Sequence, residues 1–113
     1  MHEMSLCESI LQIVEQQAET ERYRKVKTVW LEIGALAGVE PDAMRFCFDV
    51  VMEGSVADKA RLEIITVPGQ AWCFQCNKNV TVAQFYDECP DCGSCQLQVN
   101  GGEQMRIKEL EVE

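Results

Sequence analysis

The segment that decides the fold runs from Cys73-Phe74-Gln75-Cys76 to Cys89-Pro90-Asp91-Cys92, with residues 77–88 between the two pairs. Two residues between cysteines allow both thiolates of a tight turn to face one ion, and two such turns complete a tetrahedral sulfur cage. Pro90 stiffens the second turn, and Gly93 permits the left-handed backbone that such turns often need. Four sulfur ligands leave no open position, so the spacing predicts a structural zinc ion held by Cys73, Cys76, Cys89 and Cys92.

Three alternative roles for these cysteines have less support. Disulfides are disfavoured because the chain has seven cysteines, an odd number, and cytosolic thiols stay reduced. A thioredoxin-like redox pair requires a helix that begins directly after a strand, which Pro68-Gly69 does not offer. Iron fits a tetrahedral sulfur site by geometry, although zinc is the commoner occupant. Cys92-Gly93-Ser94-Cys95 repeats the spacing, and we interpret Cys95 as a spare thiol outside the cage.

Breaks in the sequence pattern border the cysteine segment on both sides. Pro68-Gly69 precedes it and Asn100-Gly101-Gly102 follows it. We therefore predict a zinc-binding insert at residues 70–99 and a helix–sheet domain formed by residues 1–69 and 100–113. An insert of this size buries too little apolar area alone, so the metal would supply its folding energy.

The helix–sheet domain is expected to begin with an amphipathic helix. Ser5 and Glu8 form a capping-box pattern, and apolar residues follow at helical spacing as far as Ala18. We predict a helix from Leu6 to about Thr20. Residues 1–3 would then lie ahead of the helix, in solvent.

The remaining pattern indicates an α+β fold. Residues 25–33, 60–67 and 104–112 have strand character, and Pro41 opens a second helix that stops near Gly54. Two helices on one face of a sheet would bury both apolar stripes, including Cys7 and Cys47. We expect a small three-stranded sheet with two helices and an inserted zinc-ribbon-like module.

The charge of the chain limits its partners. The 113 residues carry a net charge of −9, with a pI near 4.5. An acidic surface repels phosphate backbones and anionic lipids, so we expect no nucleic-acid and no membrane partner. No apolar run approaches the roughly 20 residues of a membrane span, and the start lacks the basic region of a signal peptide. These features predict a cytoplasmic location.

The N-terminus offers a second metal-binding chemistry. His2 is the single histidine, and a methionine before a bulky second residue is usually retained, which keeps a free amine beside the imidazole. The amine, deprotonated backbone amides and the imidazole can form a planar nitrogen set, which favours Ni(II) or Cu(II) over zinc. The alternative is an ordinary solvated terminus.

Together these features resemble a known family. Met1-His2-Glu3, the strand end Trp30-Leu31-Glu32-Ile33-Gly34 and the two cysteine pairs are similar to the HypA/HybF family of hydrogenase nickel-incorporation proteins. The resemblance covers the whole chain, and details such as Gln70 to Cys73 look closer to HybF than to HypA.

The resemblance implies a nickel metallochaperone that is not an enzyme. It implies Ni(II) bound by the Met1 amine, the His2 imidazole and the backbone nitrogens of His2 and Glu3, so that the helix–sheet domain is the nickel-binding domain. It implies exchange of nickel with a HypB-type GTPase and delivery to the large subunit of [NiFe]-hydrogenase, with urease as a further target in some members. Glu40 stands where some relatives have a carboxylate near the nickel site, and it also suits a helix N-terminus.

Two other functions share part of this sequence pattern. A zinc-ribbon protein-interaction or nucleic-acid adaptor would share the cysteine pattern, but nucleic-acid binding needs basic residues, and the insert has Lys78 against Asp87, Glu88 and Asp91. A hydrolase or redox enzyme would need an open metal site or a catalytic set, which the sequence does not offer.

Overall fold

A computed structural model describes residues 2–113, which form two helices and six strands. The helices are α1 (Glu3–Glu21) and α2 (Pro41–Met52). The strands are β1 (Val26–Gly34), β2 (Arg61–Val67), β3 (Gly69–Cys73), β4 (Lys78–Val82), β5 (Leu97–Gly101) and β6 (Met105–Val112). Helix, strand, helix, strand is the order predicted for the first part of the chain, and the α+β class is confirmed.

The strands form two three-stranded sheets instead of one. The first sheet has the order β2-β1-β6 and consists of the three strands predicted from the sequence. The second has the order β4-β3-β5, with β3 antiparallel to both neighbours. Strands β3 and β5 were not predicted from the sequence. The buried positions of β3 hold small residues that give little apolar contrast, and β5 alternates Leu97 and Val99 with polar residues over only five positions.

The chain contacts define two compact units. Unit 1 comprises the described residues up to Leu31, together with Val39–Ile65 and Arg106–Glu113; unit 2 comprises Glu32–Gly38 and Thr66–Met105. The sequence predicts an insert at residues 70–99 and a helix–sheet domain formed by residues 1–69 and 100–113. These domain limits stay a prediction.

Unit 1 is built on the apolar stripes of its two helices. Cys7, Ile10 and Val14 of α1 are buried, as are Met44, Phe48 and Met52 of α2. Strand β1 adds Val26, Val29 and Leu31 to this core. The core position predicted for Cys7 is confirmed: its thiol donates to the Met44 carbonyl oxygen, at a sulfur–oxygen distance of 3.7 Å.

The start of α1 differs from the prediction. The helix begins at Glu3, with His2 as its N-cap and no side-chain cap, so the predicted start at Leu6 and the capping box at Ser5 are wrong. Glu3 and Met4 are good helix formers and extend the helix by a turn. Ser5 therefore lies inside the helix, where its carbonyl oxygen accepts from the Ser9 hydroxyl. Glu3 belongs to the first turn, where an acid stabilises the helix, rather than to a free solvated tail.

Unit 2 has a small apolar core between its strands. The buried residues are Leu36, Ala71, Cys73, Val80, Val82 and Cys89. Gly34 is required here, because a side chain at this position would place its first carbon 2.0 Å from the Gly102 carbonyl oxygen. The Leu36 N–H donates to that same oxygen at 2.8 Å, so the segment 32–38 is in close backbone contact with the residue that follows β5.

No helix among the residues from His2 onward is long and apolar enough to cross a membrane.

Two phenylalanines of α2 provide a matched test of the core. Phe48 is fully buried, whereas Phe46, on the same helix, is 69% exposed. We expect Phe48→Ala to lower the free energy of unfolding by about 3–5 kcal/mol, because it removes buried apolar surface and leaves a cavity. Phe46→Ala should change it by no more than about 0.5 kcal/mol. Urea unfolding followed by circular dichroism measures both values, and equal effects would contradict the assigned faces of α2.

Candidate metal centre

The first cysteine pair lies in the turn between two paired strands. Strand β3 ends at Cys73, β4 begins at Lys78, and these two residues are register partners. The turn is closed by Asn77, whose N–H donates to the Cys73 carbonyl oxygen at 2.8 Å and whose φ is 53°. The Cys76 N–H donates to the Cys73 sulfur at 3.4 Å. This hydrogen bond is typical of cysteine turns that hold a metal, because it neutralises part of the thiolate charge.

The second pair is held by a similar turn. The Gly93 N–H donates to the Cys89 carbonyl oxygen at 2.8 Å, and the Cys89 N–H donates to the Ser94 carbonyl oxygen at 2.9 Å. Gly93 has a φ of 76°, so its predicted left-handed conformation is confirmed. That conformation explains the glycine, since residues with a side chain are strained there.

The two turns bring four sulfur atoms together. The Sγ atoms of Cys73, Cys76, Cys89 and Cys92 all lie within 4.8 Å of one another. The Cys73–Cys92 distance is 3.6 Å and the Cys76–Cys89 distance is 3.9 Å. Zinc–sulfur bonds of about 2.3 Å in a tetrahedron separate the sulfurs by about 3.8 Å. The four cysteines therefore fit a structural zinc ion in both number and spacing.

Cys95 is placed apart from this set. Its side chain is exposed and does not belong to the cluster of converging sulfurs. That cluster is the one group of possible metal ligands found among residues 2–113. Within the group, Cys73 and Cys89 are buried, Cys76 is partly buried and Cys92 is exposed. The cage is thus anchored in the apolar core of unit 2 through two of its members and meets solvent at a third.

The thiols of the cage influence each other's proton affinity. Hydrogen bonding to Cys92, with burial second, raises the pKa of Cys76 to about 12. Burial also raises the pKa of Cys89, but hydrogen bonds from the backbone N–H groups of Cys92 and Asp91, and from neighbouring thiols, outweigh it and lower that pKa to about 7. A divalent cation bound by the four sulfurs would displace their protons, because thiolates rather than thiols are the metal ligands.

An ion pair joins the two cysteine turns. The Lys78 ammonium lies 2.6 Å from a carboxylate oxygen of Asp91, and this contact raises the pKa of Lys78. Both side chains are about half exposed, so the pair itself adds little stability. Its consequence is electrostatic: the one lysine of this segment is neutralised beside the sulfur cage.

The N-terminal site residues lie at the start of α1. His2 is exposed, with an extended backbone conformation (φ −88°, ψ 94°), and its carbonyl oxygen accepts the first helical hydrogen bond, from the Leu6 N–H at 3.1 Å. Glu3 is partly buried in the first turn. The Met1 amine, which the resemblance adds to this set, lies outside the described residues.

Glu3 also joins the starts of the two helices, a contact that the sequence analysis missed. Its carboxylate accepts the Glu40 N–H at 3.2 Å, and that hydrogen bond, with one from the N–H of Glu3 itself, lowers the pKa of Glu3. Glu40 in turn is the N-cap of α2, where its side chain accepts the Asp42 N–H at 3.2 Å. The helix N-terminal role considered for Glu40 is therefore confirmed. No local pattern indicates the Glu3–Glu40 contact, because the two residues are 37 positions apart.

Comparison with known proteins gives a consistent result along the whole chain. The family model described as "Hydrogenase/urease nickel incorporation, metallochaperone, hypA" matches residues 1–112. Hydrogenase maturation factor HypA of Rhodopseudomonas palustris (strain BisA53) is 57% identical, and that of Albidiferax ferrireducens is 59% identical, each over 100% of both chains. These relatives carry the HypA name, so the finer resemblance to HybF stays a prediction.

Solved structures share the fold. The solution structure of the Ni metallochaperone HypA from Helicobacter pylori superposes with a TM-score of 0.71, with 26% identity over 99% of this chain and 97% of that one. A second solution structure of a HypA protein gives a TM-score of 0.72 with 26% identity over 100% and 97% of the two chains. The fold and the sequence agree, and the chain belongs to the HypA family of hydrogenase/urease nickel-incorporation metallochaperones.

Proposed function

We propose that this chain binds Ni(II) at its N-terminus and delivers it to the large subunit of [NiFe]-hydrogenase during maturation. Family membership supports nickel as the cargo and hydrogenase maturation as the pathway. The geometry at the start of α1 supports the N-terminus as the binding site. The single observation that carries the proposal is the exposed His2 at the N-cap of a helix that begins at the very next residue.

The start of α1 suits a nitrogen ligand set. The first N–H groups of an α-helix have no acceptor within the helix, so the amide of Glu3 is not committed to the helical ladder. The proposed ligands are the His2 imidazole, the backbone nitrogens of His2 and Glu3, and the Met1 amine. The Glu3 carboxylate is not needed as a ligand, because it accepts the Glu40 N–H and so fixes the first turn of α1 against the start of α2.

Release of nickel would occur by ligand exchange. A planar set at an exposed terminus can be attacked from its open faces by ligands of the acceptor protein. The cysteine cage offers no open position, since four sulfurs satisfy a tetrahedral ion. We therefore assign the cargo to the N-terminus and a structural zinc to Cys73, Cys76, Cys89 and Cys92.

Zinc would stabilise unit 2 in a way that its apolar core does not. The core of this unit consists of six buried residues, and two of them, Cys73 and Cys89, are themselves cage members. A metal bond between the turns replaces apolar burial as the source of folding free energy in such small modules.

The outer face of α1 is a candidate surface for a HypB-type GTPase. Glu8, Glu15 and Glu19 are all exposed on this helix, and they recur at helical spacing. A partner with basic side chains would be attracted to this acidic stripe. The alternative is that these residues only solvate the helix.

The zinc assignment predicts a selective loss of metal. Changing Cys89 to alanine removes a buried ligand, so we expect the variant to lose its zinc and the ordered structure of unit 2. Cys95→Ala is the matched control and should keep one zinc per chain. Elemental analysis of both purified variants measures this, and full zinc occupancy in Cys89→Ala would contradict the ligand set.

The nickel assignment predicts that the true chain start is essential. A Gly-Ser extension converts the Met1 amine to an amide, and His2→Ala removes the imidazole; each should abolish tight Ni(II) binding while zinc and helix content stay normal. Affinity in the unmodified protein should rise with pH, because the amine and amides must lose protons to bind. Isothermal titration of Ni(II) into the unmodified, extended and His2→Ala proteins measures these affinities. Equal affinity in the extended protein would exclude the amine.

The GTPase surface predicts a salt-sensitive effect. Reversing Glu15 and Glu19 to lysine should weaken binding to the GTPase, more strongly at low salt, because surface charges are screened as ionic strength rises. Reversal of Asp49 and Glu53, both exposed acids near the end of α2, is a control of equal charge change. Pull-down at two salt concentrations measures both pairs, and identical behaviour would leave the α1 face without a docking role.

A further inference from the structure

The loop between the two cysteine pairs presents two aromatic rings to solvent. Residues 83–87, which we call the aromatic turn, follow the end of β4 and precede the second cysteine pair. Phe85 is 60% exposed and Tyr86 is 83% exposed. Val80 and Val82, on the preceding strand, are buried in the core of unit 2, whereas neither ring belongs to that core. The rings therefore contribute little to the folding of the unit that carries them.

The backbone of the aromatic turn is fixed by hydrogen bonds. One carboxylate oxygen of Asp87 accepts the Ala83 N–H at 2.8 Å and the Gln84 N–H at 3.1 Å. The Asp87 N–H donates back to the Gln84 carbonyl oxygen at 3.2 Å. A loop that is already ordered loses less conformational entropy when its side chains dock on a partner. Aromatic side chains such as tyrosine are enriched among the few residues that carry most of the binding energy of a protein interface.

The net negative charge of unit 2, which carries the turn, limits the class of partner that the turn can bind. Unit 2 contains one lysine, Lys78, no arginine and five acidic residues: Glu32, Asp87, Glu88, Asp91 and Glu103. Lys78 is paired with Asp91. Stacking of nucleic-acid bases on aromatic rings occurs with a positively charged groove, which this unit does not have. The complementary surface is an apolar pocket of a protein, bordered by lysine and arginine side chains.

We propose that the aromatic turn is the anchor by which this chain docks on the large-subunit precursor of the hydrogenase, in an apolar pocket with a basic rim. The inference rests on the proposed function, in which nickel leaves by exchange at an accessible N-terminus. Ligand exchange at the terminus is transient, so an anchor elsewhere on the chain would hold the acceptor in place during the transfer. The turn is next to the cage in sequence, since Cys89 follows Asp87 by two residues. The structural metal thereby gains a part in recognition.

The test uses zinc-loaded, tag-free full-length protein and purified nickel-free large-subunit precursor as the probe. Replacing Phe85 and Tyr86 together by alanine should weaken binding by about thirty-fold or more, the effect of losing a central aromatic anchor. Phe46→Ala is the matched control, since its ring is comparably exposed on α2 and its loss should leave the affinity unchanged. Tyr86→Phe keeps the ring and should bind normally. Asp87→Ala keeps both rings but frees the turn, so it should bind more weakly than the unmodified chain and more tightly than the double variant.

Zinc analysis and Ni(II) titration on each variant separate this inference from the proposed function. We expect every variant to bind zinc and nickel normally. Among the ring replacements, only the double variant at Phe85 and Tyr86 should bind the precursor more weakly. Unchanged precursor binding in that variant, or no precursor binding by the unmodified protein, overturns the anchor whatever the nickel titration shows. A selective loss of GTPase binding, or of binding to a single-stranded RNA probe, would also overturn it and assign the turn to that partner. Failure of nickel binding in the unmodified protein refutes the proposed function instead.

Discussion

The convergence of four sulfur atoms is the constraint on which unit 2 depends. Strand β3 ends at one cysteine turn and pairs on one side with β4, which leaves that turn, and on the other with β5, which follows the second turn. The sulfur positions are therefore set by a small sheet, and the sheet in turn has few apolar residues to hold it together. The sheet and the cysteine turns therefore depend on each other, since the small apolar core includes two of the cysteines, Cys73 and Cys89.

The cysteine turns of unit 2 also shape the surface that lies between them. The cage keeps its sulfurs for one ion and has no position for exchange. Its influence is exerted through the backbone, because the turns that carry the cysteines also carry the segments between them. A carboxylate that closes a turn, an ion pair beside the cage and two exposed rings all occur within the 17 residues from Cys76 to Cys92. Metal binding and surface presentation are thus properties of one short stretch of chain.

Unit 1 fixes the start of helix α1 through contacts with the start of α2. Helix α1 packs on α2, and Glu3 ties the beginnings of both helices together through the Glu40 N–H. The helix ordered from Glu3 onward leaves His2 exposed at its cap.

The sequence by itself determined the elements and chemistry that depend on short spacing. The C-x-x-C pairs, the left-handed Gly93, the buried stripes of both helices and the strands of the first sheet follow from local periodicity and turn geometry, which a single chain displays directly.

Only the tertiary structure decided the rest. Strand β3 was hidden because its inward positions are Gly69, Ala71 and Cys73, small residues that fit against Leu36 and Val80 but give no apolar alternation. The Glu3–Glu40 hydrogen bond and the bond from the buried Thr28 hydroxyl to Glu111, 83 positions away, arise from packing between distant segments. Such contacts follow from where whole elements meet, and no local pattern encodes that information.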